Sequence, residues 1–377
     1  MKILFTGGGT GGHFYPIIAI VEALRERIKE RKIIAPDLYY MAPGKYNARA
    51  LFDNDLRFIR VPAGKIRRYF SLLNVTDVFK TAYGCMSALV SMFRIYPDVV
   101  FGKGGYASFP ALFAAKLLKI PVIIHESDSR PGRVNAWAGK FAKKIAISYP
   151  DAAPFFTTKT GVVALTGCPI RPEIANPLTN GARELLELEA GTPVVLILGG
   201  SQGSVNINDT IVEALPELLN DFQVIHQTGK NHLEEIKGMT GVMLKDHQFA
   251  HRYRPFDYLN ELALRMSAGV AEVVVTRAGS TIFEIAAWGV PSIIIPLPSS
   301  IIHDQTANAF AYARTGAASV VQENNLSAHI LISEINRIHG SPAIKEAMRT
   351  HAKAFARLDS ATIIADAILD TALEHEK

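Results

Sequence analysis

The sequence predicts an α/β protein of two Rossmann-like, doubly wound domains in tandem, and three observations carry that prediction. Short β-rich runs alternate with helical patterns, which is the signature of βαβ units around a parallel sheet. The alternation starts twice, once at MKILFTG and again near residue 191 with GTPVVLILGGSQGS. Between the two series lies TGCPIRPEIANPLTNGARE (166–184), rich in Pro, Gly and Asn as a linker should be.

In the first series MKILFTG leads into IIAIVEALRERIKER, then DLYYMAP, PDVVFGKGG, PALFAAKLLK and PVIIHE. In the second, NDTIVEALPELL, FQVIHQTG, AEVVVTRAG, STIFEIAAWG and PSIIIPLP follow the opening strand. After about residue 341 the pattern is helical to the end, with AIKEAMRTHAKAFARL and SATIIADAILDTALEHE. The expected domains are residues 1–167 and 168–350, with a tail at 351–377 packing back on the first domain. A ligand cleft between the two domains is expected.

At 377 residues the chain has material for two cores, and 49% hydrophobic with 20% charged residues is ordinary for a globular protein. Only Cys85 and Cys168 occur, far apart and outside any Cys-x-x-Cys, which argues against a disulfide framework or a zinc site. A reducing, cytoplasmic setting fits. The N-terminal apolar run is cut by glycines after Phe5, unlike a signal peptide. Other apolar stretches are broken by Lys116, Lys119 and Pro121, short of the roughly 20 residues a membrane span needs.

The net charge of +5 is too mild to imply nucleic acid without clustering. One cluster exists: Lys65, Arg67 and Arg68 stand directly before Tyr69, Phe70, Leu72 and Leu73. That mix suits an anionic membrane surface, and equally a solvated loop before a core helix.

The stretch TGGGTGGHFYP carries Gly-x-Gly-x-x-Gly at Gly7, Gly9 and Gly12. Its glycines let backbone N–H groups approach an anion in front of a helix that Pro16 is expected to help start. A diphosphate is the obvious guest. A nicotinamide site would add an acidic residue at the tip of the next strand, whereas DLYYMAPGK has only Asp37, at its start. FGKGGYASFP should lie beside this loop, and LILGGSQGSVN forms a phosphate-type loop in the second domain.

His13 ends the first glycine loop, where an imidazole can act as a base, although a structural histidine is the commoner case. Thr281-x-x-Glu284 reads as a capping box or as a glutamate that grips a ribose, and spacing favours the cap. Asp53-Asn54-Asp55 resembles a metal-holding Asp-x-Asp but follows no strand end, so it is taken as chance and no metal is expected.

Taken together, GGGTGGHFYP, GKGGYASFP, IHESD, TGCPIRP, LGGSQGSVNIN, HQTGK, TRAGSTIFEIAAWGVP and HDQTANA resemble the MurG family, glycosyltransferase family 28, in the family's order up to about residue 320. The resemblance implies a GT-B fold and an inverting, metal-independent hexosyltransferase. It would move N-acetylglucosamine from UDP-N-acetylglucosamine to the 4-hydroxyl of N-acetylmuramoyl-pentapeptide on undecaprenyl diphosphate, the lipid I to lipid II step of peptidoglycan synthesis. It also implies no cofactor, a peripheral position at the cytoplasmic face of the plasma membrane, contact with an anionic inner-membrane surface, and other cell-wall synthesis proteins as partners.

Carried over by position, Thr10, Gly11 and Gly12 would contact the donor sugar or the acceptor diphosphate, with Gly104, Gly105 and Tyr106 on the acceptor side. His13 and Asp128 are the candidate bases. Ser201, Gln202 and Gly203, aided by Arg171, would offset the charge on UDP. Glu284 would bind the ribose, Gly279, Ser280 and Thr281 the nucleotide backbone, Gln305 the donor sugar, and Phe256 and Asp257 the uracil side. The chain departs from the family at Ser127 and Asp128, where His-Glu-Gln-Asn is usual, and Arg277 to Glu284 is one residue shorter. The remaining alternatives are a different lipid acceptor or a non-catalytic nucleotide-sugar scaffold.

Overall fold

The computed structural model describes residues 1–65, 73–156, 161–200, 203–298 and 305–376. It divides into two compact units, residues 1–171 with 357–377, and residues 172–356.

The first unit is a seven-stranded parallel sheet made of β1 (Lys2–Thr6), β2 (Asp37–Ala42), β3 (Arg57–Arg60), β4 (Val99–Gly102), β5 (Val122–Glu126), β6 (Lys144–Ile147) and β7 (Val162–Leu165). The order is β3-β2-β1-β4-β5-β6-β7. Because side chains alternate along a strand, each strand feeds two cores. Ile3, Phe5, Val99 and Phe101 face the helix Gly11–Glu30 and the C-terminal helix Ser360–Glu376, which contributes Ile364, Ile368 and Leu369. Leu4, Val100 and Ile124 face the other way, onto Ala88 and Met92 of the helix Leu73–Ile95 and Leu112 of Phe109–Leu117. Arg27 and Arg31 pair with Asp366 at 2.9 and 2.7 Å. These pairs are partly exposed, so apolar burial, not charge, holds the tail in place.

The second unit repeats the plan with β8 (Val194–Leu198), β9 (Gln223–Gln227), β10 (Tyr253–Phe256), β11 (Ala271–Thr276), β12 (Ser292–Ile294) and β13 (Ala318–Val320). The order is β10-β9-β8-β11-β12-β13, again all parallel. Val195, Ile197, Val273, Val275 and Ile293 pack on Ile207, Ile211 and Leu215 of the helix Val205–Asp221 and on Leu331 and Ile335 of Ala328–His339.

The unit boundaries fall at 171/172 and 356/357, later than the 167/168 and 350/351 read from composition. Packing decides both. The Trp288 indole donates to the Ile174 carbonyl at 2.6 Å, tying the chain after Pro172 to the second unit. Phe355 stacks on Phe283 and leans on Tyr312, with centroids at 5.7 and 5.0 Å, so the end of the helix Pro342–Phe355 stays there too.

Candidate active site

In the first unit the chain leaves β1 and β4, neighbours in the sheet, toward opposite sides, and ligands of doubly wound sheets bind at such a switch point. Both exits are glycine turns. Gly8, Gly9, Gly104 and Gly105 have φ of +147°, +92°, +92° and +77°, a region side chains rarely adopt. The two turns touch: a β-carbon on Gly105 would lie 3.3 Å from the Gly8 carbonyl oxygen and 3.5 Å from His13 Nε2. One on Gly9 would lie 3.0 Å from the Tyr106 ring. Thr10, Gly11, Gly12, His13, Gly104, Gly105 and Tyr106 are therefore brought together.

The first helix starts earlier than Pro16 suggested. Gly11 is its first residue and Pro16 lies inside it, because the Thr10 carbonyl already accepts the N–H groups of His13 and Phe14, each at 3.2 Å. The initial N–H groups of a helix have no intrahelical acceptor, so this end presents donors at the switch point. His13 thus sits in the first helical turn, its Nδ1 2.8 Å from Thr10 Oγ1.

Behind these turns is a buried charged group that residue spacing did not single out. Glu126, at the end of β5, accepts the N–H of Asp128 at 2.9 Å, the N–H of Gly132 at 3.0 Å and the Asn135 amide at 2.9 Å. Burial, followed by the charge of Asp128, pushes its carboxyl up to about 7, while Lys103 acts in the opposite direction. Lys103 is 1% exposed and its Nζ has no hydrogen-bond partner among the described residues. The His125 Nε2–H donates to the Gly167 carbonyl, 2.9 Å away; burial and the nearby Lys103 charge hold the imidazole well below its usual range and therefore neutral. Asp128 is half-buried beside this group. The available sequence signal was a lysine and a glutamate at adjacent strand ends, Lys103 after β4 and Glu126 closing β5.

In the second unit the switch point lies between β8 and β11. A pocket of ≈ 270 Å³ opens there, lined by Gly199, Gly203, Ser204, Val205, Asn206, Arg277, Leu297 and Glu323. Ser201 and Gln202 lie outside the described residues. Gly203 has φ +76°, and a β-carbon on it would come within 2.0 Å of the Thr228 carbonyl oxygen. Ser204 caps the helix Val205–Asp221, its Oγ accepting from Ile207 N.

Arg277 follows β11 and enters this pocket, 9% exposed, donating to Ser204 Oγ at 2.5 Å, Glu323 Oε1 at 2.6 Å and the Ile295 carbonyl at 3.2 Å. Sequence reasoning had assigned the cation to Arg171. That residue belongs to the first unit, where its guanidinium lies 4.7 Å from the Tyr15 ring centroid. An arginine at the C-terminal end of a strand, in TRAG, was the signal for Arg277.

The capping box is not formed. Thr281 is the first helical residue, Ser280 is the cap position with helical φ −62° and ψ −18°, and no side-chain cap bond is made. Glu284 occupies the first turn, half-buried, after Gly279. Gln305 accepts the Leu297 N–H at 3.1 Å, holding a pocket wall. Phe256 ends β10 and Asp257 follows it, with Asp257 Oδ1 accepting from Tyr258 N; β9 separates this strand from β8. Asp55 pairs with Arg25 and Asp53 with Arg49. Among the described residues no group of three or more His, Cys, Asp or Glu is gathered to hold a metal ion.

The model of the glycosyltransferase family 28 N-terminal domain matches residues 3–147, and that of the family 28 C-terminal domain matches residues 194–363. The chain belongs to glycosyltransferase family 28. Among its family relatives, a UDP-N-acetylglucosamine–N-acetylmuramyl-(pentapeptide) pyrophosphoryl-undecaprenol N-acetylglucosamine transferase of Treponema denticola is 34% identical, covering 97% of this chain and 96% of that one. A transferase of the same name, numbered 2, from Bacillus thuringiensis is 34% identical over 93% of this chain and 95% of its own.

Among solved structures, Acinetobacter baumannii MurG superposes with a TM-score of 0.70 at 23% identity, covering 98% and 99% of the two chains. A Staphylococcus aureus MnaA–UDP structure gives 0.71 at 14% identity, covering 98% and 96%. These likenesses show the fold, two Rossmann-like α/β domains of the GT-B type, and the family makes the chain a glycosyltransferase.

Proposed function

We propose that this chain moves N-acetylglucosamine from UDP-N-acetylglucosamine to the 4-hydroxyl of N-acetylmuramoyl-pentapeptide on undecaprenyl diphosphate, turning lipid I into lipid II. The observation that carries this is 34% identity, across 97% of the chain, to a transferase named for that reaction. The two glycine-lined switch points supply its physical basis, one for each phosphorylated substrate.

The acceptor diphosphate is placed on the helix N-terminus at Gly11 and Gly12 and on the Gly104–Gly105 turn, beside Thr10 and Tyr106. The donor diphosphate is placed in the pocket at Gly203, Ser204 and Arg277, on the N-terminus of Val205–Asp221. Ser201 and Gln202, read from the sequence as UDP contacts, are assigned to the same diphosphate. Glu284 takes the ribose hydroxyls, Gly279, Ser280 and Thr281 the nucleotide backbone, Gln305 the sugar, and Phe256 and Asp257 the uracil side. Arg171 serves the acceptor side instead of UDP.

His13 is the base. In the tautomer where Nδ1–H donates to Thr10 Oγ1, Nε2 is left as a proton acceptor beside the Gly105 turn. The acceptor 4-hydroxyl attacks the anomeric carbon as Nε2 takes its proton, the bond to UDP breaks, and the anomeric configuration inverts. Helix dipoles and the Arg277 guanidinium offset the charge that develops on UDP, so the step requires no metal. Asp128 is the second candidate base, favoured by its half-buried position against Glu126.

The lipid-linked acceptor brings the protein to the cytoplasmic face of the plasma membrane as a peripheral enzyme. Among the described residues no helix is long and apolar enough to cross a membrane. The basic-aromatic segment read from sequence lies mostly in residues 66–72, outside the described residues. The apolar surface that is described runs along Leu73–Ile95, where Phe79, Tyr83, Met86, Val90 and Phe93 are all exposed. Their spacing of four and three places them on one helix face, as a surface-lying helix requires. Anionic lipid attracted to Lys65, Arg67 and Arg68 is its partner.

Turnover of lipid I and UDP-N-acetylglucosamine to lipid II in detergent, with and without chelator, tests the reading. UDP-glucose and UDP-N-acetylgalactosamine serve as controls. Equal rates with chelator and a marked preference for the N-acetylglucosamine donor are the expected result; a folded protein that makes no lipid II overturns it.

A further inference from the structure

The pocket at the β8/β11 switch point already contains an anion of the chain's own. Glu323, its side chain 6% exposed, puts Oε1 2.6 Å from Arg277 Nη2. The same oxygen accepts from the Asn206 amide at 2.7 Å, and Asn206 stands in the first turn of the helix Val205–Asp221. The carboxylate therefore neutralises the guanidinium and is held there by a side-chain amide from the first turn of that helix. Arg277 Nε, buried, has no hydrogen-bond partner among the described residues, so the guanidinium is not saturated by these contacts.

We infer that Glu323 is a resident counter-anion that the donor's diphosphate must displace, and that this competition sets the affinity for the nucleotide. The inference rests on the placement of the donor diphosphate in this pocket. A guanidinium left alone at this depth would be an uncompensated buried charge, which is strongly unfavourable. Glu323 neutralises it in the free protein. When a diphosphate enters, two anions compete for one guanidinium, and like charges that close in a buried site cost several kcal/mol. Glu323 therefore leaves Arg277 as the nucleotide arrives. Its turn, Glu323–Asn325, is flanked by exposed Gln322, Asn324 and Asn325, so the swing breaks little packing. When UDP departs the pair reforms, which weakens product binding as well as donor binding.

Glu323→Gln keeps the size and an acceptor oxygen for Asn206 but removes the charge. Isothermal titration with UDP and with uridine, and thermal melting of both proteins, provide the test. UDP binds the variant about tenfold more tightly than the parent, while uridine, which has no phosphate to compete, changes less than about twofold. Unchanged or weaker UDP binding in a variant that melts like the parent overturns the inference. So does an equal shift for UDP and uridine, which marks a structural effect. Parent protein that binds no UDP overturns the placement of the donor itself. Should Glu323→Gln fail to fold, Asn206→Ala frees the carboxylate from one of its two anchors, and a UDP affinity that does not rise with it overturns the inference equally.

Discussion

Glu126 Oε1 accepts the backbone N–H of Asp128 at 2.9 Å, so the buried carboxylate at the end of β5 holds in place the loop that carries the second candidate base. Burial and the Asp128 charge raise its carboxyl from 4.5 to about 7. A raised carboxyl binds its proton more tightly in the folded state than in the unfolded chain. The stability linked to it is therefore fully present below the unfolded value and is lost as pH rises through about 7. Glu126→Gln loses an acceptor and is less stable than the parent in acid. The deficit narrows by up to about 3 kcal/mol between about pH 5 and pH 8.5, read by urea unfolding. A deficit that is constant across that range contradicts the assignment.

Lys103 opposes that rise, since its charge favours the ionised carboxylate. Lys103→Met removes the charge, so the Glu126 carboxyl rises further and the stability linked to it is lost at higher pH in urea unfolding, while the affinity for UDP stays unchanged. Lys103 and His13 also act on His125, which burial holds well below its usual range and therefore neutral. A pH profile that keeps its midpoint and loses only amplitude would show that Lys103 merely fills space.

His13→Ala removes the imidazole that bonds to Thr10 and faces Gly105. The expected loss in kcat is about 10²- to 10⁴-fold, with UDP affinity intact because the role proposed for His13 is proton transfer from the acceptor hydroxyl and not nucleotide binding. Asp128→Asn distinguishes the two candidates: a loss of that size there, with His13→Ala nearly active, transfers the role of base to Asp128.

The exposed face of Leu73–Ile95 is tested by changing Phe79, Tyr83 and Phe93 together to serine. Binding to vesicles that contain phosphatidylglycerol falls by at least about tenfold, in keeping with the apolar area each ring withdraws from water. Turnover of a short-chain, water-soluble acceptor stays at the parental level. Equal loss with the soluble acceptor would place the defect in folding or catalysis instead of docking.

Much of the architecture was legible in the chain because its determinants are local. Continuous apolar runs such as VVLIL, buried on both faces, read as central parallel strands, and glycines at strand ends read as phosphate turns. The helix start at Gly11 and the cap at Ser280 were misread because a proline and a Thr-x-x-Glu spacing are weak local cues. The first helix is instead capped at Thr10, in extended geometry, and the other at Ser280, already helical.

The sequence by itself determined the fold class, the two-domain plan, the glycine turns and the family. Only the tertiary structure brought Arg277 into the pocket of the second unit, set Arg171 beside Tyr15 in the first, found Glu323 seated on Arg277, and gathered Lys103, Glu126 and Asn135 beneath the first switch point. The physical reason is separation along the chain. Arg277 and Glu323 are 46 residues apart. No periodicity or spacing rule reaches that far, and a buried charge declares its partner only once the sheet that leads to both, β11-β12-β13, is assembled.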